Sequence, residues 1–141
     1  MRTGIVKSGD VLMYKDGLSL GRVSMFKNDY PYKECCINSH VFILRTNEKI
    51  SQNYLYFWLD QDFVKRIIIS SGLSAAQPGI NQKDVMDIPI LIPEKELIKK
   101  FDIMVKSKID MIFNNSKENK ILNDQLEFFL PMIMNNQIKI S

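Results

Sequence analysis

The sequence predicts an α+β protein in which a small mixed β/α domain is followed by a long C-terminal coiled-coil helix. Three observations lead to this fold class: short apolar stretches bounded by Gly-containing turns, an apolar helical pattern in the middle of the chain, and a run from 94 to 130 without Gly or Pro. The 141 residues fit one domain with an extension. We expect the domain over 1–93, the helix over 94–130 and a tail over 131–141.

Three strands are predicted in the first half of the domain. The first covers Val11 to Tyr14 and closes at the turn Asp16-Gly17, because glycine tolerates the positive φ that such turns require. Gly21 opens a second strand, in "GRVSMF". The third lies between Cys36 and Arg45, where alternate positions suit a strand that is buried mainly on one face.

A helix and a further strand are predicted next. Ser51 can cap a helix that stops near Gly72, and its apolar positions recur at helical spacing, which predicts a core face rather than a stacking surface for bases. These positions are Leu55, Trp58, Leu59, Phe63 and Ile67. The stretch "DIPILIP" over 87–93 then predicts a strand, with Pro89 placing it at a sheet edge or at the start of the strand.

The long helix is predicted to begin at Pro93, which has no amide hydrogen to leave unpaired. A helix over 94–130 would be roughly 50 Å long. Its seam follows alternating steps of three and four residues and is polar in the middle, as in a coiled coil. The seam consists of Ile98, Phe101, Val105, Lys108, Ile112, Asn115, Asn119, Leu122, Leu126 and Phe129. A competing interpretation breaks the helix into a hairpin at "NNSKENK", since Asn and Ser are mediocre helix formers.

Composition excludes several classes of protein. The apolar runs are too short to cross a bilayer, and residues 1–25 lack the pattern of a secretion signal, so we expect a cytoplasmic, reducing environment and no membrane partner. Cys35, Cys36 and the single His40 cannot supply four separated zinc ligands, and burial of the cysteines is the favoured interpretation. We expect neither a metal nor a cofactor on this chain.

No enzyme motif stands out. The chain has no Gly-rich phosphate loop, no methyltransferase motif and no triad that a cysteine could use. Glu118-Asn119-Lys120 matches the Glu-x-Lys of metal-dependent nucleases, but it falls on a predicted polar helix. Residues 1–93 hold eleven Lys/Arg against nine Asp/Glu, which gives only a slight bias toward an anionic partner. The sequence therefore predicts a protein that is not an enzyme.

The order of these pieces resembles the specificity subunits of type I restriction-modification systems. The resemblance rests on "GDVLMYKDGLSLGRV" at 9–23, "CINSHVFILR" at 36–45, "GLSAAQPGIN" at 72–81, "DIPILIP" with its helix, and the tail "LEFFLPMIMNNQIKIS". Two features depart from the family pattern. Pro93-Glu94-Lys95 and Leu97-Ile98 replace the usual Pro-Pro-Leu and Glu-Gln pair, and the motif near residue 9 normally lies well inside its domain.

The resemblance implies a DNA-reading subunit, or half of one, without catalytic activity. In such a subunit a target-recognition domain contacts double-stranded DNA, of which 1–93 would be a part, and paired helices set the spacing and dock modification subunits. Those adenine methyltransferase partners would carry S-adenosylmethionine. With one long helix in the chain, pairing would occur between two copies in an antiparallel homodimer.

Polar residues in the turns and in the loop after Gly72 are the candidates for reading DNA. Arg and Lys can bind guanine or phosphate, and Gln and Asn can pair with adenine. The candidates are Lys15, Arg22, Lys27, Gln77, Asn81, Gln82 and Lys83. Alternatively, Asn81 caps a turn while Gln77, Arg22 and Lys27 are simply exposed. A further alternative is a truncated specificity remnant that pairs or docks without reading DNA.

Overall fold

The structure is a computed structural model that describes residues 4–28, 30–73, 78–135 and 137. A three-stranded sheet is followed by helices, which confirms the predicted α+β class. The strands are β1 (Val11–Tyr14), β2 (Val23–Met25) and β3 (Val41–Leu44), and the helices are α1 (Gln52–Leu59), α2 (Asp62–Gly72), α3 (Gln82–Met86) and α4 (Lys95–Met134).

The sheet has the order β2-β1-β3 and both pairings are antiparallel. Met13 lies opposite Val23 on one side and opposite Phe42 on the other. The first strand has the predicted bounds, whereas β2 and β3 are shorter than predicted. Central β1 carries two fully buried side chains, Val11 and Met13. These alternate positions point toward the helices, as the period of a half-buried strand requires.

The core lies between the sheet and the helices α1 and α2. The predicted single helix from Ser51 to Gly72 is wrong, because Asp60 and Gln61 separate α1 from α2. That interruption changes which residues of α2 face inward: Val64 is fully buried, while the expected core residue Phe63 is 44% exposed. The two ends of the predicted helix are confirmed, since the Ser51 hydroxyl accepts from the backbone N–H of Tyr54 at the start of α1 and α2 ends at Gly72.

The segment from 81 to 93 differs from the prediction in two ways. Residues 82–86 form the short helix α3, which the sequence analysis treated as a loop. Residues 88–92 have no regular secondary structure and pair with no described strand, so the predicted strand is wrong. Their carbonyl groups bond side chains of α1 instead: Trp58 Nε1 donates to Pro89 and the Tyr54 hydroxyl donates to Leu91.

Helix α4 runs unbroken through "NNSKENK", so the hairpin alternative is wrong. The helix begins two residues after Pro93, with the carbonyl of Glu94 accepting from Leu97 and Ile98. It also continues through Pro131 to Met134, beyond the predicted end at 130. A proline removes one backbone donor, and near the end of a helix this loss affects few other hydrogen bonds.

The chain divides into two compact units, Met1–Val105 and Lys106–Ser141. The first unit therefore includes the first turns of α4. Within the described part of the chain, no helix is long and apolar enough to cross a membrane. The expected burial of the cysteines is wrong: both thiols are free, Cys35 is partly exposed and Cys36 is exposed.

Candidate nucleic-acid interface

The turn between β1 and β2 is joined by backbone hydrogen bonds to the segment that precedes α3. The N–H of Gly17 donates to the carbonyl of Pro78 at 3.3 Å, and the N–H of Ile80 donates to the carbonyl of Lys15 at 2.8 Å. Between these bonds, Asp16 and Gly79 form an antiparallel bridge. Two segments distant in sequence thus form one surface at this end of the sheet.

The same segment is fixed on its other side by α2 and α3. The N–H of Gly79 donates to the carbonyl of Gly72 at 3.1 Å, where α2 ends. Asn81 then starts α3 with a capping box: its Oδ1 accepts from the N–H groups of Lys83 and Asp84, and Asp84 Oδ2 accepts from the N–H of Asn81. This reciprocal arrangement satisfies backbone donors that a helix start otherwise leaves unpaired.

The structure brings four of the predicted DNA-reading residues together. Lys15 lies beside Ile80 through the backbone bond, and Asn81, Gln82 and Lys83 follow directly in the chain. We call Lys15, His40, Gln82 and Lys83, with the backbone of 78–81, the turn-loop surface. The side chains of Gln82 and Lys83 are exposed, and Lys15 is partly exposed with its Nζ 5.6 Å from the centre of the Phe42 ring.

The other three predicted residues lie elsewhere or outside the described residues. Arg22 is exposed at the β1–β2 connection, where its carbonyl accepts from the N–H of Tyr14. Lys27 follows β2 at the opposite end of the sheet, where it bridges to Tyr30. Gln77 falls outside the described residues. The predicted set therefore does not form one continuous surface.

Asn81 has a structural role that the sequence analysis weighed as its alternative. Because Oδ1 already accepts two backbone hydrogen bonds, at 2.7 and 3.1 Å, it is poorly placed to accept a third from adenine. The paired recognition of adenine expected of a free Asn is therefore disfavoured at this position. The side chain sets the path of the chain that presents Gln82 and Lys83.

His40 belongs to the same surface, and the sequence analysis considered it only as a zinc ligand. Its carbonyl accepts from the N–H of Lys15 at 3.1 Å, and its Nδ1 lies 2.9 Å from Oδ2 of Asp16. The sequence feature that could have identified His40 was its position immediately before β3, opposite the end of β1. Among the described residues, no group of three His, Cys, Asp or Glu side chains is placed to hold a metal ion.

Asp10 and Arg45 form an ion pair at the opposite end of the sheet. Arg45 donates from Nε and Nη2 to the two carboxylate oxygens of Asp10, each at 2.7 Å, and the backbone N–H of Lys7 also donates to Asp10. Burial by itself raises the pKa of Asp10, but these hydrogen bonds and the charges of Arg45 and Lys7 lower it overall. The pair fixes the chain before β1 to the end of β3.

Helix α1 packs against the start of α4. The hydroxyl of Ser51 donates to Oδ1 of Asp102 at 2.7 Å, and the ring of Phe101 packs edge-on against Tyr54 and Phe57. The predicted seam residue Ile98 is only 6% exposed. These seam positions at the front of α4 therefore pack within their own unit.

Other apolar residues of α4 are exposed. Met104 and Met111 follow Leu97 at intervals of seven residues, and the pattern continues at helical spacing in the second half. We call Leu97, Met104, Met111, Leu122, Leu126, Phe129 and Ile133 the apolar stripe; their exposed fractions lie between 36% and 66%. Lys108 and Asn115, which lie between stripe positions, are also exposed, as are the remaining seam residues Ile112 and Asn119.

Comparison with known proteins identifies relatives for almost the whole chain. The family described as type I restriction modification DNA specificity domain matches residues 3–123. The chain is 22% identical over 130 residues to the type I restriction enzyme MjaIX specificity subunit of Methanocaldococcus jannaschii, covering 92% of this chain and 29% of that protein. It is 28% identical over 103 residues to the HindI specificity subunit of Haemophilus influenzae, covering 72% of this chain and 22% of that protein.

A solved structure shares the fold. It comes from work on complex assembly and conformational transition of a type I restriction-modification system; the match has a TM-score of 0.56 at 18% identity and covers 94% of this chain and 33% of that one. The chain thus spans less than a third of the length of the curated relatives it matches. Since the family match covers most of the sequence and the fold agrees with it, the chain belongs to the type I restriction-modification DNA specificity domain family.

Proposed function

We propose that the chain is a non-catalytic DNA-recognition subunit, or half of one, of a type I restriction-modification system. The observation that carries the proposal is that the turn-loop surface and the first turns of α4 belong to one compact unit, Met1–Val105. One unit thus carries both the DNA-reading surface and the start of the pairing helix. A split target read by two such domains needs both in one unit, because helix pairing then determines the spacing of the two halves.

The side chains of the turn-loop surface suit contacts to DNA. Lys15 and Lys83 offer ammonium groups for phosphates or for guanine, and Gln82 can donate and accept at an adenine. His40 adds a ring nitrogen beside Lys15, with Nδ1 held by Asp16. Arg22 and Lys27 extend the set as candidates for phosphate contacts. Because 78–81 is held by backbone hydrogen bonds, little ordering entropy remains to oppose binding.

The apolar stripe supports pairing between two copies. Exposed apolar residues that recur along a whole helix indicate a surface that another helix covers. In an antiparallel pair centred on Asn115, Leu97 lies beside Ile133 of the second copy and Met104 beside its Leu126. A parallel, in-register pair would instead place Lys108 beside Lys108, which repels. The stripe therefore favours the antiparallel homodimer.

The remaining parts of the proposal follow from family membership. The paired helices would dock adenine methyltransferase subunits, which would supply S-adenosylmethionine and the catalytic residues. This chain would need no cofactor of its own and would act on DNA in the cytoplasm. The docking surface on this chain would be the part of α4 that the pairing leaves exposed.

The test of DNA reading is specific binding by the chain assembled with its modification subunit. The variant K15A/K83A should bind its target at least tenfold more weakly, and the slope of log affinity against log salt should fall by about 1 for each phosphate that a replaced lysine had neutralised. K33A/R66A removes two exposed charges outside the turn-loop surface and serves as control. Equal weakening in both variants would show that only net charge matters and that this surface does not read DNA.

A second candidate function is a specificity remnant that pairs without binding DNA. It is favoured by the slight basic excess of residues 1–93, which gives little attraction to phosphates. A mobility shift with mixed-sequence DNA at low salt separates the two functions, because phosphate contacts give at least non-specific binding. The absence of any shift, with pairing intact, would favour the remnant.

Pairing is tested independently by sedimentation. L122D/L126D places two charges on the apolar stripe and should convert a dimer into a monomer. I121D changes an equally exposed apolar residue outside the stripe and should leave the dimer intact. A dimer that survives L122D/L126D would assign the pairing to another surface.

A further inference from the structure

A groove of about 820 Å³ lies beside β3 within the unit Met1–Val105. Its walls come from β3, α1, α3 and the segment 88–92, and they include Phe42, Leu44, Trp58, Met86, Ile90 and Ile92. The lining also includes the polar residues Arg45 and Lys49. An apolar groove of this kind suits apolar side chains of a peptide segment.

One border of the groove is the edge of β3 that faces away from β1. The N–H of Lys15 donates toward β3, to His40, whereas the N–H of Tyr14 donates toward β2, to Arg22. Because bonding directions alternate along antiparallel strands, Val41 and Ile43 direct their N–H and C=O groups away from β1. No described strand lies on that side of β3.

The other border is the segment 88–92 before α4, which contributes Ile88, Ile90 and Ile92 to the lining. The carbonyls of Pro89 and Leu91 face α1, where Trp58 and Tyr54 donate to them at 3.0 and 2.8 Å. One strand edge and one segment held by α1 therefore border the apolar groove.

We propose that this groove binds the segment 137–141 of a second copy, which adds a strand to the free edge of β3. The proposal rests on the antiparallel pairing proposed above. Strand addition of this kind combines backbone hydrogen bonds to the edge with pockets for alternate side chains. It would also cover an edge that, when left exposed, promotes aggregation.

The geometry of α4 identifies which copy supplies the segment. A helix of 40 residues separates its ends by roughly 60 Å, and seven extended residues span at most about 25 Å, so 135–141 cannot return to the start of their own helix. In the antiparallel pair, Ile133 of the second copy lies beside Leu97. That position is five residues from Ile92, which lines the groove.

The sequence of the segment fits this role. In "QIKIS", Ile138 and Ile140 alternate with Lys139. Alternate residues of a strand face opposite sides, so in the proposed strand both isoleucines would enter the groove and Lys139 would face solvent. The same alternation allows a matched control, because a change at Lys139 leaves the apolar contacts intact.

Fluorescence of Trp58 provides the first test, since it is the chain's single tryptophan and lines the groove. Dilution of the wild type through dissociation should shift its emission to the red as the segment leaves. I138D/I140D should show the red-shifted emission even as a dimer, and K139S should behave as wild type. A double variant that sediments as a dimer with wild-type emission would overturn the proposal while the pairing stands. A wild type that is monomeric throughout would instead refute the pairing, and the proposal with it.

Cross-linking provides the second test. In a C35S/C36S background, M86C on one tagged copy and I140C on the other should react with a short bis-maleimide to give a mixed dimer. L18C replaces M86C as control, because Leu18 is exposed and lies outside the groove. Cross-linking within a single chain carrying both changes would overturn the assignment to a second copy. A yield no higher than that of L18C would overturn the groove assignment itself.

Discussion

Gly21 shows how one residue connects the hairpin to the helical layer. Its φ is +77°, a conformation that disfavours any side chain, and a Cβ built there would lie 3.0 Å from Cγ2 of the buried Ile68. Gly17 in the same hairpin has a φ of +70° but nothing within 4 Å of its Cβ position. Substitution of Gly17 therefore introduces backbone strain alone, whereas substitution of Gly21 introduces backbone strain and a close contact.

We predict that G21A destabilises the protein more than G17A. Backbone strain alone should cost about 1 kcal/mol in G17A, and the contact with Ile68 should raise the cost in G21A to about 2–3 kcal/mol. Urea unfolding followed by Trp58 fluorescence measures both. Equal destabilisation would show that Ile68 moves aside at no cost.

Asp10 is a buried carboxylate that is paired with Arg45. It is 4% exposed and accepts hydrogen bonds from Arg45 and from the backbone of Lys7. Its pKa is lowered in the folded state, so its contribution to stability is complete above the unfolded pKa of about 3.9 and is lost as the pH falls through the folded value.

We predict that D10N lowers the free energy of unfolding by about 1–2 kcal/mol near pH 7, a value reduced for solvent screening around the half-exposed Arg45. The difference from wild type should begin to shrink below the unfolded pKa of about 3.9 and should disappear as the pH falls through the lowered pKa of folded Asp10. Denaturant titrations at several pH values measure this. E48Q changes an exposed carboxylate and should alter neither the free energy of unfolding nor its dependence on pH. A loss of stability in D10N that did not depend on pH would be due to packing alone.

At the scale of elements, α1 connects the sheet to both the segment 88–92 and the start of α4. Tyr54 and Trp58 donate to the carbonyls of Leu91 and Pro89, and Ser51 donates to Asp102. Phe101 adds ring contacts with Tyr54 and Phe57. Several contacts with one short helix thus hold the first turns of α4 within the unit Met1–Val105.

We predict that F101A lowers the free energy of unfolding by about 2–4 kcal/mol, because it removes the aromatic contacts that hold α4 on α1. I103A, at an exposed position of the same turn, should cost less than about 0.5 kcal/mol. Thermal unfolding by circular dichroism measures both. Similar small effects would show that the polar contacts of α1 suffice to hold the helix.

The sequence analysis succeeded where local chemistry specifies the structure and failed where tertiary contacts decide. Val11–Tyr14, the Ser51 cap and the Gly72 stop were predictable from turn and cap residues. The interruption at 60–61 contains neither Gly nor Pro, so no local signal marks it. Alternation in 88–92 was present, but alternation alone does not show whether an extended segment has a strand beside it.

The candidate interface was predictable in part for the same reason. Lys15, Gln82 and Lys83 were identified from their types and positions in turns. Their proximity to one another depends on the bonds from 15–17 to 78–80, which no sequence pattern encodes. His40 was missed because its role depends on Asp16, twenty-four residues earlier in the chain.

At the scale of the whole molecule, the polar residues that lie among the exposed apolar residues of α4 bear on the orientation of the proposed helix pair. Lys108 and Asn115 interrupt a surface that is otherwise apolar, and such residues fix the register and orientation of a coiled coil at some cost in stability. In the proposed antiparallel pair centred on Asn115, the two Asn115 amides would face each other and could exchange hydrogen bonds.

We predict that N115L/N119L strengthens self-association but loses a unique orientation, because apolar contacts then favour several registers. Disulfide formation between L97C and I133C on different copies, in the C35S/C36S background, reports the antiparallel arrangement. When Asn115 and Asn119 are present, the link between L97C and I133C should dominate. When both positions are leucine, links between two L97C residues should appear as well. An unchanged pattern of links would remove Asn115 and Asn119 as determinants of orientation.

The segment 78–80 is attached to Gly72, Lys15 and Gly17 by main-chain hydrogen bonds, and the buried side chain of Ile80 belongs to the core. These hydrogen bonds do not depend on which side chains the participating residues carry. Substitutions at exposed positions such as Gln82 and Lys83 can therefore accumulate while the path of the backbone stays the same. Under the proposed function, changes at a few exposed residues would alter which DNA is preferred and leave the scaffold and its stability as they are.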